Sequence, residues 1–431
     1  MRLDEKINKK KCKIAVIGIG YVGLSLAVDV TKSGFYVICF DEDQGRVEKI
    51  NSAENYISSV DSGDLQEAVD TGLLVASNDY SKLNECDVQI ICVPTPLNSN
   101  KQPDMSYIER AVHSVSENLH HDTLVILQST TFPGTTNAIV KPILERNGMR
   151  CGKDFFLAFS PERVDPGNVE FNTMNTPRVV GGISDTCTDM ASLFYHQGLK
   201  CPIYRVSSTQ VAEMSKLLEN TYRNVNIGLV NEFAILSNSM GIDIWEVVEA
   251  AKTKPFGFHS FYPGPGIGGH CIPIDPFYFA WKVREYDKRA TIIEASGNIL
   301  DNMPQYVMCR IMEELNARNT LVKGAHVLVV GVAYKANVND IRESPSLKII
   351  DLLIKNGANV VYHDPMIPEF SYNGVQYFSL ELSDEMLYSI DLVIIMTAHD
   401  NVDYDKIKAE SSLIFDTRNV YKKQADNIVR L

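Results

Sequence analysis

Eleven residues near the start constrain the fold more than any others: Lys13-Ile-Ala-Val-Ile-Gly-Ile-Gly-Tyr-Val-Gly23. Ile14 to Ile17 form a continuous apolar run, the pattern of a strand buried on both faces of a parallel sheet. Gly18, Gly20 and Gly23 then give GxGxxG at a strand-to-helix turn, with Tyr21 and Val22 between the last two glycines. A helical pattern runs to Gly34, a suitable C-cap, and Tyr36 to Phe40 make a second strand that ends at Asp41. That acid lies 18 residues beyond Gly23, where a carboxylate binds both adenosine-ribose hydroxyls of a dinucleotide. A lone GxGxxG is a weak signal, but strand, glycines, helix, strand and acid together predict a dinucleotide site. The acid favours NAD over NADP, because it would repel a 2′-phosphate. Arg46, close by, would stack on adenine or pair with phosphate.

More strand patterns follow. Asp87 to Val93 runs into Pro94-Thr95-Pro96, Leu124 to Leu127 into Gln128-Ser129-Thr130-Thr131, and Phe155 to Phe159 into Ser160-Pro161-Glu162-Arg163-Val164. Ligands of open α/β sheets bind beyond the carboxyl ends of the strands. Thr95, Ser129, Thr130 and Glu162 are therefore candidate ligand contacts, although turns favour the same residue types. Residues 1–11 read as a charged leader with no packing pattern.

Net charge is −13, with 45% hydrophobic and 22% charged residues. An acidic balance argues against nucleic acid and against an anionic membrane surface as partner. No apolar run approaches the length of a membrane span. The nine cysteines are scattered without CxxC pairs or metal-ligand spacing, so no metal is expected. Their odd number and the polar start Met-Arg-Leu-Asp-Glu-Lys predict a reducing, cytoplasmic compartment.

From about Ser208 the apolar period switches to 3.6, and a helix of about 30 residues, roughly 45 Å long, is expected to end at Gly241. Its length suits a spine between two domains and a dimer interface. Lys216 and Asn220 share a face at i, i+4, and Arg223 lies on nearly the same side; a solvated polar stripe is the plainer reading of that face. Tyr262 to Asp275, Tyr-Pro-Gly-Pro-Gly-Ile-Gly-Gly-His-Cys-Ile-Pro-Ile-Asp, holds four glycines and three prolines, a shaped loop delivering one thiol, Cys271, and a carboxylate, Asp275. A helix starting near Cys271 would put both on one face and lower the thiol pKa. An ordinary thiol is only about 3% ionised at pH 7. Gly268 and Gly269 would let a ligand close on the sulfur.

The last third repeats the first. His326 to Val330 is an apolar strand ending at a glycine, a helical stretch covers Ser346 to Lys355, and strand patterns recur at Asn359–Tyr362, Asp391–Met396 and Ser412–Phe415. It lacks GxGxxG and offers Lys335, Asp340 and Arg342 for phosphates instead. The expected fold class is α/β, with two Rossmann-like parallel-sheet domains joined by a long central helix. The expected domains are 1–205 for NAD, 206–315 for the central helical region with the catalytic loop, and 316–431 for a nucleotide-linked substrate.

Gly18-x-Gly20-Tyr-Val-Gly23, Gln128-Ser-Thr130, Ser160-Pro-Glu162-Arg163, Lys216-x-x-x-Asn220, Gly268-Gly-His-Cys271-x-x-x-Asp275 and Tyr334-Lys335 through Asp340-x-Arg342-Glu-Ser together resemble the UDP-glucose/GDP-mannose dehydrogenase family over nearly the whole chain. The resemblance implies NAD-dependent oxidation of a sugar nucleotide at C6 to a carboxylate, in two hydride transfers, by a homodimer built on the central helix. His270 before the cysteine, and Ile274 where UDP-glucose enzymes of the family carry lysine, are similar to the branch acting on UDP-N-acetylhexosamines. Lys254-Pro-Phe-Gly-Phe and Asp275-Pro-Phe-Tyr are most similar to enzymes that oxidise UDP-N-acetylglucosamine for surface polysaccharides such as O-antigen. UDP-N-acetylmannosamine, UDP-N-acetylgalactosamine, UDP-glucose and a non-catalytic nucleotide-sugar or NAD sensor are the alternatives.

By the same resemblance Cys271 captures the aldehyde, Lys216 or a water held by Asp275 takes the alcohol proton, and Lys216 and Asn220 hold the oxyanion. Asp275 or Glu162 activates the hydrolytic water, which Thr130 positions. Thr95, Ser129, Thr130 and Arg342 contact the cofactor. Glu162, Arg163, Val164, Lys216, Asn220, Arg223, Tyr262, Gly264, Gly268 and Lys335 contact the substrate. The segment Pro255 to His259 is the place to look for a partner subunit's contribution.

Overall fold

A computed structural model describes every residue of the chain except 58, 99, 166, 167, 169 and 424. The chain divides into two compact units, Met1–Glu219 with Phe277–Lys288, and Asn220–Pro276 with Arg289–Leu431. The boundary falls inside one continuous helix, Thr209–Ser239, of 31 residues. Ser208 Oγ accepts the Val211 N–H at 3.3 Å, an N-cap, and Gly241 takes a φ of +69° just past the end.

The first unit is built on β1 (Lys13–Ile17), β2 (Tyr36–Phe40), β3 (Leu74–Ser77), β4 (Val88–Ile91), β5 (Leu124–Leu127), β6 (Phe156–Phe159), β7 (Arg178–Gly182) and β8 (Ile203–Arg205). They lie in one sheet in the order β3-β2-β1-β4-β5-β6-β7-β8. All neighbours are parallel except β6 and β7, which run antiparallel. Every residue of β4 and β5 is buried, because helices cover both faces, and that is why β5 reads as an unbroken apolar run and β4 as one broken only by Gln89.

The expected leader is instead a helix, Leu3–Asn8, with Leu3 and Ile7 buried in the core. Two apolar residues at i, i+4 suffice to dock one turn and a half of helix. The Lys6 ammonium reaches the Asp87 carboxylate at 2.5 Å.

The second unit holds β9 (His326–Val330), β10 (Asn359–His363), β13 (Leu392–Ile395), β14 (Ile414–Asp416) and β15 (Ile428–Arg430) in a parallel sheet ordered β10-β9-β13-β14-β15. A hairpin of β11 (Glu369–Tyr372) and β12 (Val375–Phe378) forms a separate two-stranded sheet that packs on β10 through Phe370 and Tyr362. The helices Thr291–Ala317 and Pro345–Lys355 pack on one another in this unit. Among the described residues no helix is long and apolar enough to cross a membrane.

Candidate functional site

In the first unit the three glycines of the β1 turn do three different jobs. Gly18 has φ +89°, and a Cβ there would stand 2.8 Å from the Cys92 carbonyl oxygen at the end of β4. A Cβ on Gly23 would fall inside the Gly18 carbonyl, so helix Tyr21–Lys32 can start hard against the strand. A Cβ on Gly20 would meet nothing within 4 Å. That open backbone, at a helix N-terminus, is what a pyrophosphate needs. Tyr21 is half-buried and Val22 exposed in the same turn.

Asp41 closes the picture at the end of β2. Its Oδ2 accepts the Ile19 N–H at 3.0 Å, and Arg46 Nη1 stands 3.5 Å from the same oxygen. The residues present therefore fit a dinucleotide whose ribose hydroxyls meet an acid. Thr95 is half-buried in the loop after β4, where Tyr278 Oη donates to the Pro96 carbonyl at 3.2 Å. Ser129 is buried and gives its hydroxyl to the Val93 carbonyl at 2.8 Å, while Thr130 beside it is half-buried.

Glu162, after β6, is held as an anion. Its Oε1 accepts the Arg163 and Val164 N–H groups at 2.8 and 2.9 Å, and its Oε2 accepts Gln128 Nε2 at 3.0 Å and Arg178 Nη2 at 2.9 Å. Burial alone would raise its pKa, but Arg178 and the backbone donors outweigh it and hold the carboxyl below the ordinary range. An anion with four donors is a poor proton acceptor. Glu162 thus anchors the loop after β6. The half-buried Arg163 binds Glu219 at 2.8 Å and the Pro177 carbonyl at 2.7 Å.

In the second unit the loop 262–274 is clamped by asparagines of the long helix. Asn220 Nδ2 donates to Asp275 Oδ2 at 2.5 Å. Asn224 Nδ2 donates to the Ile272 carbonyl at 3.1 Å, and its Oδ1 lies 2.9 Å from the Ser296 hydroxyl. Asn231 Oδ1 accepts the Gly264 N–H at 3.0 Å. All three asparagines are buried, so each unmade bond would cost about 1–3 kcal/mol. Their spacing puts them on one face, and Asn224 continues the buried line that Arg223 was expected to join. Arg223 is exposed. Asn224 and Asn231 went unnoticed in the sequence, although Asn at i and i+4 after Lys216 was the available signal. Lys216 itself is buried, one turn before Asn220.

The other side of the loop rests on residues 334–345. A Cβ on Gly268 would be 2.7 Å from Tyr334 Cβ, and Gly269, at φ +84°, would put one 2.9 Å from the Tyr334 ring. The glycine pair thus lets the loop lie on Tyr334. Gly269 N–H donates to the Arg342 carbonyl at 3.0 Å. The Arg342 guanidinium forks onto the buried Asp340 carboxylate, Nη2 to Oδ2 at 2.6 Å, and its Nη1 stands 3.0 Å from His270 Nε2. Arginine only donates, so His270 Nε2 accepts and its proton sits on Nδ1. Partial loss of water around the ring, together with the Arg342 charge, holds the His270 pKa below its ordinary value. Lys335 is half-buried in the turn after β9.

Cys271 is exposed at the tip of this frame. The helix begins at Asp275, not at Cys271. Pro273 has no N–H to give and Pro276 suits a first turn, so residues 271–274 form a turn in which the Cys271 carbonyl accepts Asp275 N–H at 2.8 Å. Asp275 is buried while the thiol is open. Tyr262, at the loop's start, donates its hydroxyl to Glu249 at 2.7 Å and stacks on Trp245.

Three family models match the chain. They are the NAD binding domain of the UDP-glucose/GDP-mannose dehydrogenase family over residues 12–198, its central domain over 210–301 and its UDP binding domain over 328–423. The chain is 34% identical over 418 residues to UDP-N-acetyl-D-mannosamine dehydrogenase from Pyrococcus horikoshii, covering 95% of this chain and 96% of that protein. It is 36% identical over 359 residues to UDP-N-acetyl-D-glucosamine 6-dehydrogenase from Pseudomonas aeruginosa, covering 83% and 84%. The solved structure of the Pyrococcus horikoshii UDP-D-ManNAc dehydrogenase matches with a TM-score of 0.86 at 33% identity, over 97% of this chain and 98% of that one.

Proposed function

The chain belongs to the UDP-glucose/GDP-mannose dehydrogenase family of NAD-dependent UDP-sugar dehydrogenases, and on that premise we propose that it oxidises C6 of a UDP-N-acetylhexosamine to the uronic acid. UDP-N-acetylglucosamine is the first reading of the substrate, carried by the residues flanking Cys271. UDP-N-acetylmannosamine is the second, favoured by the relatives named for that sugar. A product of this kind serves surface polysaccharide synthesis in the cytoplasm.

The observation that carries the reading is an exposed thiol one turn ahead of a buried amide–carboxylate pair, Asn220 with Asp275. NAD supplies the hydride acceptor for each of two oxidations. Lys216 takes the alcohol proton in the first. Cys271 Sγ then adds to the C6 aldehyde, and the thiohemiacetal keeps a reactive carbonyl on the protein between oxidations. Its oxygen is held by the Lys216 ammonium and by the second amide hydrogen of Asn220, a stabilisation of about 3 kcal/mol for each well-placed donor. The second oxidation leaves a thioester, which water cleaves to the acid and the thiol. Asp275 or Glu162 accepts that water's proton, and Thr130 orients the water. Arg163, Val164, Tyr262, Gly264, Gly268 and Lys335 frame the sugar nucleotide; Ser129, Thr95 and Arg342 support the cofactor.

The wild-type protein is expected to make two NADH per sugar, with one UDP-sugar preferred in a panel of the N-acetyl epimers and UDP-glucose. Cys271→Ser is expected to make at most one. Two NADH per sugar from that variant would sink the scheme, and binding without any NADH would favour the sensor.

The partner is a second copy. On the second unit's part of the long helix, Tyr222, Leu229, Phe233, Leu236 and Met240 are all exposed. They follow a 3.6-residue period, and a stripe of this kind is rarely left in water. Phe256, in the segment 255–259, is 70% exposed. Phe233→Glu is expected to convert a dimer to a monomer in sedimentation; an unchanged mass would remove this face from the interface.

A further inference from the structure

The turn that carries Cys271 is held on both sides of the sulfur by backbone bonds. Before the thiol, the Gly269 N–H donates to the Arg342 carbonyl at 3.0 Å. After it, the Cys271 carbonyl accepts the N–H groups of Ile274 at 3.1 Å and Asp275 at 2.8 Å. Between these lies the Ile272–Pro273 peptide, which has a carbonyl and no N–H. That carbonyl accepts Asn224 Nδ2 at 3.1 Å, so here the turn is tied to a side chain rather than to the backbone.

Asn224 is buried on helix Thr209–Ser239, one turn after the Asn220 that holds Asp275. A carbonyl only accepts, so the NH2 end of the Asn224 amide faces Ile272 and its oxygen faces away. Ser296, buried on helix Thr291–Ala317, meets that oxygen. Its hydroxyl stands 2.9 Å from Asn224 Oδ1 and 2.9 Å from the Asn224 carbonyl oxygen. A flipped amide would set its oxygen against the Ile272 carbonyl, so the hydroxyl locks the one useful orientation. The two helices come this close because residue 228 is glycine: a Cβ there would fall onto Ser296 Oγ. Asn220 and Asn224 thus grip the Cys271 turn from one rigid helix, at Asp275 and at Ile272.

We propose that Asn224, locked by Ser296, is a positioning residue that sets the Cys271 thiol for capture of the half-oxidised sugar. This rests on the double oxidation proposed above. The first oxidation takes a hydride from C6 and a proton from its hydroxyl, and sulfur has no part in it. In the capture step the Cys271 sulfur bonds to C6, the carbonyl π pair moves to oxygen, and the thiol proton ends on that oxygen. Only this step and the second hydride transfer depend on where the sulfur stands, and a misplacement of about 1 Å can cost about 100-fold in such a step. Asn224 therefore governs whether the aldehyde is kept or lost, and leaves the binding of NAD and of the sugar nucleotide alone.

The test compares the full chain with its Asn224→Leu variant, which keeps the bulk of the side chain and removes the amide. Each is given NAD and UDP-N-acetylglucosamine or UDP-N-acetylmannosamine, with semicarbazide present to trap free aldehyde. The wild type is expected to make two NADH per sugar and no semicarbazone. Asn224→Leu is expected to make close to one, to release a sugar semicarbazone seen by mass spectrometry, and to slow the second oxidation about tenfold or more. Its KM values for NAD and sugar nucleotide should stay within about twofold of wild type. Asn224→Asp supplies a rescue that does not need the leucine variant to fold. Its carboxylate cannot donate to the Ile272 carbonyl, but its protonated form can, so the NADH yield should climb back toward two as pH falls. Two NADH per sugar without semicarbazone from folded Asn224→Leu, or a yield from Asn224→Asp that does not change with pH, overturns the proposal while a normal wild-type yield leaves the double oxidation standing. No NADH from the wild type, or aldehyde released by it, sinks the double oxidation itself.

Discussion

At the end of β2, Asp41 keeps 12% of its side chain exposed; at the end of β10, in the corresponding place of the second sheet, Asp364 keeps none. Both acids brace the turn after the first strand of their sheet. Asp41 accepts the Ile19 N–H at 3.0 Å, and Asp364 accepts those of Val332 and Ala333 at 2.7 and 2.9 Å. Both turns start with a glycine at positive φ, +89° for Gly18 and +82° for Gly331. The difference lies two residues on. Gly20 faces open space, whereas Ala333 is buried and its carbonyl takes the Thr397 hydroxyl at 2.6 Å. His399 then closes on Asp364 at 3.2 Å, with its Nδ1 accepting the Asn337 N–H at 3.0 Å. The second turn is filled by its own side chains. The same frame is thus kept for structure in one unit and left open for a ligand in the other, which is why fold repetition does not imply a second dinucleotide site.

The largest effect that can break this comparison is on stability. Asp364→Ala removes the acceptor of the Val332, Ala333, Met366 and Ile367 N–H groups and of His399. Leaving these donors buried is expected to cost about 3–5 kcal/mol, read as a lower midpoint in urea for the second unit. A mild effect there, or a selective loss of NAD affinity, would mean that this acid has a ligand role after all.

Asp41→Ala is expected to do the reverse. The loss of NAD affinity should be about 1.5–3 kcal/mol, or roughly 10- to 100-fold, while the fold loses about 1 kcal/mol. Titration calorimetry with NAD beside a urea melt separates the two. If the melt moves more than the affinity, the two acids are alike and the contrast fails.

How far this was legible in the sequence follows from the same physics. The strands β1, β2, β4, β5, β9 and β13 announce themselves because burial on both faces makes them mostly apolar, with Gln89 of β4 a buried exception. The short β3, β7 and β8 give no such run, and β8 has two of its three residues exposed. Leu3 and Ile7 were hidden among lysines, where two apolar residues carry no visible period. Cys271 and Asp275 could be picked out because glycines and prolines mark a shaped loop, and Asn220 because it shares a helix face with Lys216. The role of Asn224 and Asn231 could not be, since a buried amide and a solvated one look the same in sequence until the loop they bind is placed. The glycine pair before Cys271 has a packing use hidden for a related reason. Gly268 and Gly269 make room, but only the structure shows that Tyr334 fills it.

The smallest effect separates the units by pH. In the second unit, burial alone would raise the Asp364 pKa, but His399 and the Ala333 N–H hold it below the ordinary 3.8, so its contribution is present above that value and is lost as pH falls through the lower folded one. In the first unit, Glu213 on the long helix accepts the Gly134 N–H at 2.5 Å and the Thr136 N–H at 2.8 Å, anchoring the loop that follows Thr130. Burial outweighs these donors and the Lys282 charge, and raises its pKa from 4.5 to about 6. The folded state therefore favours the protonated acid. Its contribution is full below 4.5 and is lost as pH rises through about 6. A change of about 1–2 kcal/mol between pH 5 and 7 follows, and it should appear as faster hydrogen exchange at the Gly134 and Thr136 amides at the higher pH, after correction for intrinsic rates. Glu213→Gln, which mimics the protonated form, should flatten that profile without touching exchange around Asp364. An unchanged slope in that variant would place the ionisable group elsewhere and leave the loop after Thr130 held by neutral contacts alone.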